Sequence, residues 1–349
     1  MRGKWIPRDG DVVISRDNII FYVFGYSHPA NRVIAYPKYI PENLVGMFDI
    51  SFLKSVHWKF SGISMYRPKK LFSPDVYVKE LSTFTKKLPE YVYHCIFSGK
   101  LFIAVPRELI KYVYVPEEGL KRLICKREKD DLERRALQLI ELLSTESSVD
   151  IEDFGIHGSI LLGMHRKGSD IDIAVYGAEN YRRVRNALEK LHRSGELKII
   201  FEDDTDLYRK NKGLFLNTKF VVNAIRKYEE IKERYGKMLY HAIHPVKFVC
   251  KIKDARESVF RPAIYKISLC DIRPDVDAKP EELVSMIGAY RGYAREGDII
   301  YGVGMLEKVY NTSTGDEWWR IVIGSGIGEE YICHAKNFVT EMRQYPRKG

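Results

Sequence analysis

The stretch that most constrains the fold is residues 154–177, FGIHGSILLGMHRKGSDIDIAVYG. Its first residues read as a short strand that ends at Gly158-Ser159, where SILLGMH would begin a helix. The run DIDIAV then alternates polar and apolar residues, which is typical of a half-buried strand. In such a strand Asp170 and Asp172 point to one face while the isoleucines between them point to the other. The stretch therefore predicts a strand, turn, helix and strand that carry two neighbouring carboxylates.

Helical and hairpin patterns on both sides extend this stretch into a larger unit. Residues 126–147 and 178–195 each place apolar side chains on one helical stripe with charges opposite, and the second segment closes on a glycine. Residues 213–225, GLFLNTKFVVNAI, predict a hairpin, and residues 227–243 predict a third helix that ends before His244-Pro245. The succession of strands and helices predicts a compact α/β module.

The flanking regions are predicted to be rich in strands. The first part of the chain contains short β-branched and aromatic runs separated by turn residues, with a hairpin over residues 91–106 that turns at Ser98-Gly99. The last hundred residues read as a small β-barrel or sandwich, because glycines interrupt the strands as they do at barrel bends. We predict an α+β chain with a β-rich N-terminal domain (1–126), a central α/β module (127–243) and a small β-barrel-like, OB-like C-terminal domain (244–349).

Composition bounds the environment and the partners. The chain of 349 residues has no membrane-spanning apolar run and no signal-peptide pattern at its start, so we expect a cytoplasmic protein. Its five cysteines are isolated from one another, which argues against a disulfide framework or a structural zinc site. The formal net charge of +10 favours polyanionic partners such as nucleic acid, and charge alone does not exclude the alternative, a Lys/Arg/Glu-rich surface of the kind found in heat-adapted proteins.

Aromatic and basic residues also interleave in three short segments near the start of the chain. They are YPKYIP (36–41), MYRPKK (65–70) and IKYVYVP (110–116). Such a surface could stack bases and neutralise phosphates. Aromatic residues at strand spacing are more often half-buried core, so both interpretations stay open.

The aspartate pair and the Gly-Ser turn predict one site if their strands are neighbours. Two carboxylates at such a short distance repel each other unless a cation lies between them. Mg²⁺ or Mn²⁺ can fill this role, because these ions accept carboxylate, water and phosphate oxygens as ligands. Glycine allows a phosphate to approach the backbone, where helix N–H groups favour negative charge. A nucleoside triphosphate would then place its β- and γ-phosphates on Gly158 and Ser159 and its α-phosphate on metal ions at Asp170 and Asp172. The bland alternative is the exposed face of an ordinary strand.

These residues, with Ser169 before the aspartates, resemble the signature of the DNA polymerase β-like nucleotidyltransferase superfamily. The wider chain, through FGIHGSILLGMHRKGSDIDIAVYG, GYSHPANR and ARESVFRPAIYKI, resembles archaeal predicted nucleotidyltransferases. The resemblance implies Mg²⁺-dependent transfer of a nucleoside monophosphate from a nucleoside triphosphate to a hydroxyl. It implies Asp170 and Asp172 as catalytic metal ligands, and Gly158, Ser159 and Ser169 as nucleotide contacts.

One position departs from the superfamily pattern. A third carboxylate usually comes from a later strand, but here that strand offers Asn223, whose amide cannot take a proton as a carboxylate does. Other acids could replace it, and the sequence does not choose among them. They are Glu202, Asp203, Asp204, Asp206, Asp254 and Glu257.

The leading hypothesis is therefore a nucleotidyltransferase with a nucleic-acid acceptor, RNA more than DNA. The alternative is a catalytically impaired nucleotide- and nucleic-acid-binding protein that uses the same module as a scaffold or sensor. An interaction module without nucleotide involvement would require the Gly-Ser turn and the aspartate pair to coincide by accident.

Overall fold

The structure, a computed structural model, describes residues 5–71, 73–232, 234–326 and 328–335. Helices and strands are mixed, and the strands form three sheets. The described residues divide into two compact units: one contains those up to Tyr93 and from Leu101 to Arg234, and the other contains His94–Lys100 and those from Tyr235 onward. The division into three domains stays a prediction, and residues 336–349 of the third lie outside the described part.

The first sheet is formed by strands from the N-terminal third of the chain, between Val12 and Tyr114. Its strand order is β4-β5-β3-β2-β1-β8, with β7 paired to β3 and β6 paired to β7. The predicted hairpin is confirmed as β6 and β7, whereas helix α2 was not predicted in this strand-rich region. The elements are β1 (Val12–Ser15), β2 (Ile20–Val23), β3 (Arg32–Pro41), α1 (Glu42–Val45), β4 (Trp58–Phe60), β5 (Ile63–Tyr66), α2 (Pro74–Lys87), β6 (Val92–Cys95), β7 (Lys100–Pro106) and β8 (Ile110–Tyr114).

The two faces of this sheet are covered by different parts of the chain. One face buries Phe21, Ile103 and Val105 together with Phe84 of α2. The opposite face forms a second apolar cluster, in which residues of β1 to β5 pack against three side chains that follow the Gly158-Ser159 turn. Those three are Leu161, Leu162 and Met164. The N-terminal sheet is therefore part of the same core as the motif.

The second sheet carries that motif and has the strand order β11-β12-β13-β10-β9. Strands β10 and β13 are parallel, while β9 is antiparallel to β10. Helices α4 and α6 pack on each other and on β10, and bury the predicted stripes. Among the helices in the described part of the chain, none is both long and apolar enough to cross a membrane. The elements are α3 (Pro116–Cys125), α4 (Asp131–Ser147), β9 (Phe154–Ile156), α5 (Gly158–Leu161), β10 (Ile171–Tyr176), α6 (Ala178–Ser194), β11 (Lys198–Ile199), α7 (Asp206–Arg209), β12 (Lys212–Phe215) and β13 (Thr218–Ile225).

The predicted third helix over residues 227–243 is wrong. Within the described residues of this segment the helical structure is limited to a 3₁₀ turn at Tyr228–Glu230, and a long strand, β14, begins at Met238. Gly236 has a φ of +87°, which a right-handed helix cannot contain. The segment after it pairs with a distant strand, so long-range hydrogen bonds replace the local helical ones.

The third sheet lies in the second unit. Strand β14 pairs with both β15 and β17, and β16 runs parallel to β18, so the pairs β14-β15-β16-β18-β17-β14 form a closed circuit of five strands. The sixth strand, β19, pairs with β17. The strands are β14 (Met238–Asp254), β15 (Ala263–Arg273), β16 (Pro280–Ser285), β17 (Ile299–Asn311), β18 (Glu317–Ile323) and β19 (Tyr331–His334).

Candidate active site

The two aspartates lie at the start of strand β10, which is paired between β13 and β9. Asp170 immediately precedes the strand and is exposed, and Asp172 is the second strand residue and is half-buried. Loss of water around the carboxylates raises the pKa of both side chains, and the charge of Asp170 raises that of Asp172 further. The structure thus brings the predicted pair together at the N-terminal end of β10.

Gly158 lies directly against the Asp172 carboxylate. A Cβ atom on Gly158 would lie 1.8 Å from Asp172 Oδ2, and the φ of Gly158 is +60°. The His157 N–H also donates to the Asp172 carbonyl over 2.8 Å, because β9 and β10 are hydrogen-bonded neighbours. Only a residue without a side chain fits here. The predicted neighbourhood of the Gly-Ser turn and the aspartates is therefore present.

The helix after this turn is too short for its dipole to contribute much to phosphate binding. Helix α5 is a single turn, and the Gly158 N–H donates to Nδ1 of His157 over 3.1 Å. The half-buried Ser159 is therefore the better placed of the two predicted phosphate contacts. Ser169 instead closes the loop before the aspartates, where its hydroxyl accepts the Arg166 N–H over 3.1 Å.

The neighbouring parallel strand supplies no carboxylate on the aspartate face. Asp172 is opposite Val221 in β13, and Asn223 is opposite Ala174, one step further along the same face. The other β13 side chains on this face are Ile225 and Lys219, and the charge of Lys219 lowers the pKa of Asp170 against the larger effect of desolvation. The residue beside Asp172 is thus a valine, and Asn223 lies deeper along the strand.

Glu202 is the candidate acid that the structure brings to the pair. It follows β11, and its carboxylate oxygens form ion pairs with Nζ of Lys219 at 2.6 Å and with Nζ of Lys212 at 3.6 Å. Its charge raises the pKa of Asp170, while hydrogen bonding to Lys219 lowers its own pKa. A chain of alternating charges therefore runs from Asp170 through Lys219 to Glu202.

The other candidate acids have structural partners or lie elsewhere. Asp203 accepts hydrogen bonds from Thr205, and the buried Asp206 pairs with Lys212 at 2.9 Å. Asp204 is exposed. In the second compact unit, Asp254 pairs with Arg256 at 2.5 Å, and Glu257 belongs to the 3₁₀ turn that follows.

A second group of potential metal ligands has a structural explanation. Asp130, Glu133 and His165 lie close enough to share an ion. Asp130 and Glu133 form the capping box of helix α4, and Glu133 also pairs with Lys126 at 2.7 Å. His165 contacts the other oxygen of Asp130 at 2.7 Å. This group stabilises the start of the helix.

Two cations of the N-terminal sheet reach the site, and sequence reasoning had not assigned them to it. Lys38 and Arg67 both lower the pKa of Asp172 against the larger effect of burial. They belong to YPKYIP and MYRPKK, two of the segments in which aromatic and basic residues interleave. Of the aromatic residues there, Tyr39 is buried in the core and Tyr36 packs partly against it, while Tyr66 is half-buried and hydrogen-bonds Glu42.

His157 connects the turn to the N-terminal sheet. Its ring stacks on Tyr22 with the centroids 5.6 Å apart and an interplanar angle of 16°. On another side, a Cβ atom at Gly10 would lie 2.6 Å from His157 Nε2. The imidazole is therefore enclosed between two N-terminal residues.

The donor set suits a hard divalent cation. Asp170 and Asp172 offer carboxylate oxygens, the ligands that Mg²⁺ and Mn²⁺ prefer. The buried hydroxyl of Tyr22 has no hydrogen-bond partner within the described residues, and the Asp172 charge contributes to its raised pKa after burial and Tyr39. The residues present therefore fit a bound cation and the water or phosphate oxygens that accompany it.

Comparisons with known proteins agree with this geometry. Residues 138–235 match the model of the family described as Polymerase beta, Nucleotidyltransferase, and this confirms the resemblance predicted from the sequence. A protein of Methanocaldococcus jannaschii, described only as uncharacterized, is 27% identical over 336 residues, which cover 90% of this chain and 94% of that protein. No solved structure matches the chain. The segment that matches the family model, residues 138–235, contains the Gly158-Ser159 turn, both aspartates and strand β13.

Proposed function

We propose that this protein is a nucleotidyltransferase that moves a nucleoside monophosphate from a nucleoside triphosphate to a hydroxyl, with Mg²⁺ or Mn²⁺ as cofactor. The observation that carries the proposal is the Gly158 backbone against the Asp172 carboxylate, within a segment that matches the nucleotidyltransferase family. That arrangement holds a phosphate-binding turn and a cation-binding pair within reach of one substrate.

Each residue has a distinct task in this proposal. Asp170 and Asp172 hold the cation, and Ser159 and Ser169 orient the triphosphate beside the Gly158 turn. When bound, the cation would supply charge neutralisation at the reacting phosphate and at the pyrophosphate leaving group. The protein side chains provide orientation and a partly dehydrated setting, in which these electrostatic effects are stronger than in water.

Glu202 completes the carboxylate set in the proposal. It takes the role that a strand aspartate has in the superfamily pattern, because β13 presents Lys219, Val221 and Asn223 on that face. Glu202 must exchange its contact with Lys219 for the acceptor hydroxyl or the cation. A carboxylate released in this way can accept the proton of the attacking hydroxyl.

The acceptor in the proposal is nucleic acid, with RNA favoured over DNA. The formal net charge of +10 supports a polyanionic acceptor. The closed circuit of five strands in the second unit also supports it, because five-stranded OB-type barrels bind oligonucleotides. The OB-like description of this sheet is part of the proposal.

The test is transfer of label from α-³²P-labelled nucleoside triphosphates to an RNA pool in the presence of Mg²⁺ or Mn²⁺. We expect Asp170→Asn and Asp172→Asn each to lower transfer by at least about 100-fold, the loss typical of removing one charge-stabilising group. Asp204→Asn is the matched control, because this exposed acid is not part of the proposed site. Equal transfer by all three variants would contradict the proposal.

A second candidate function is a nucleotide and nucleic-acid sensor that lacks transfer activity. The observation that favours it is the valine opposite Asp172, where the neighbouring strand supplies no carboxylate. Binding of nucleoside triphosphate that requires a divalent cation, without transfer to any RNA, DNA or small hydroxyl acceptor, would establish the sensor and exclude the enzyme.

A further inference from the structure

Lys38 belongs to strand β3 of the N-terminal sheet, whose neighbouring residues Tyr22 and Tyr39 belong to the buried cluster that packs against the residues after the Gly158 turn. Its Nζ atom is 4.1 Å from the centroid of the Tyr22 ring, and the same ring stacks on His157, the residue before Gly158. Since Gly158 abuts the Asp172 carboxylate, three successive contacts connect Lys38 to the aspartate pair. The lysine is half-buried, so its charge lies at the edge of the site and not in open solvent.

Arg67 approaches the pair from the end of strand β5. Its guanidinium is 5.2 Å from the ring of Trp58 and hydrogen-bonds Tyr39. Trp58 and Tyr39 belong to the buried cluster that also contains Leu161 and Leu162, the residues that follow the Gly158-Ser159 turn. Arg67 therefore lies on the part of the N-terminal sheet that packs against the motif.

Two polar side-chain atoms near these contacts, one on Tyr22 and one on Arg67, are buried without a hydrogen-bond partner among the described residues. Within the described part of the chain, the Tyr22 hydroxyl and Nε of Arg67 make no hydrogen bond, and Tyr22 is only 3% exposed. Buried polar groups in folded proteins nearly always have a partner. Two such groups on the part of the sheet that packs against the Gly158 turn indicate that a polar ligand, here an anionic one, completes the site.

We infer that Lys38 and Arg67 bind the phosphates of the nucleoside triphosphate over the Asp170–Asp172 pair. Both cations lie in the N-terminal region, outside residues 138–235, the segment that matches the nucleotidyltransferase family. Arg67 offers a planar fork suited to phosphate, and Lys38 offers a compact positive charge held by the Tyr22 ring. The inference rests on the proposed function for the identity of the ligand.

Equilibrium binding tests this inference separately from catalysis. The full chain is titrated with inorganic tripolyphosphate and with ATP whose α–β bridging oxygen is replaced by methylene, in the presence of Mg²⁺. We expect Lys38→Met and Arg67→Met each to weaken binding of both ligands by roughly tenfold, as loss of a charge-assisted hydrogen bond does. Lys38→Arg should restore most of the affinity, because it keeps the charge.

The matched control is Lys59→Met, which removes an exposed lysine of strand β4 on the same sheet. Thermal melting of every variant identifies any that fail to fold, and Lys38→Arg then carries the comparison. Unchanged affinity for both ligands in folded Lys38→Met and Arg67→Met would overturn the inference. So would weaker binding of 5′-labelled RNA alone, because the cations would then bind the acceptor. If the unsubstituted protein transfers no label yet tripolyphosphate binding falls as expected in Lys38→Met and Arg67→Met, the inference stands and the proposed enzyme fails.

Discussion

At the scale of single residues, the contact between Gly158 and Asp172 is the most restrictive feature of the site. A methyl group at residue 158 would overlap the carboxylate, and the backbone there is left-handed. The contact explains why a glycine stands at this turn in physical terms. It also makes the site sensitive to a change of one carbon atom.

Gly158→Ala should therefore lower the free energy of unfolding by about 2–4 kcal/mol, from the left-handed backbone and the overlap together, and abolish label transfer. Gly163→Ala is the control, because Gly163 has a φ of +63° but no atom within 4 Å of an added Cβ. It should lose only about 1–2 kcal/mol. Chemical denaturation measures both values. Equal losses would show that the overlap with Asp172 is relieved without cost.

Single residues also show the limit of sequence reasoning. Asp170 and Asp172 were predictable because a strand pattern places neighbours two apart on one face. Val221 was not recognised as the residue opposite Asp172, because register between strands depends on pairing that no local pattern reveals. Lys38 and Arg67 lie more than a hundred positions from the aspartates, and only the folded sheet brings them near.

At the scale of elements, local pattern and tertiary pairing compete. Helices α4 and α6 were predicted because their apolar stripes and end signals agree. The helix expected over residues 227–243 gave way to β14, since Gly236 interrupts it and β17 offers a partner strand. The position of Glu202, in the loop after β11, likewise depends on tertiary contacts, because its partners Lys212 and Lys219 belong to β12 and β13.

That loop yields a prediction about the third carboxylate. Glu202→Gln keeps the shape of the side chain but removes its ability to accept a proton. We expect kcat for label transfer to fall by about 100-fold or more, within the range for general-base catalysis, with little change in tripolyphosphate affinity. Asp204→Asn, two residues along the same loop, should leave kcat unchanged. Full activity in Glu202→Gln would exclude Glu202 from the chemistry.

At the scale of the whole molecule, the excess of positive charge predicts that binding to the proposed nucleic-acid acceptor depends on salt. The 57 lysines and arginines outnumber the 47 aspartates and glutamates. Binding that neutralises several phosphates releases counterions, so the association constant should fall at least tenfold between about 50 and about 200 mM salt. Filter binding of labelled single-stranded RNA measures this slope. An affinity independent of salt would argue against nucleic acid as the acceptor.

The enclosed ring of His157 has a consequence for the descent of this protein. Gly10 and Tyr22, far from the segment that matches the nucleotidyltransferase family, bound the imidazole on separate sides. A larger residue at position 10 would displace the ring, and a different ring at 157 would lose its stacking partner. The N-terminal sheet and the segment that matches the family are therefore expected to be inherited together, and a recombination event that exchanged only one of them would disturb the packing around His157.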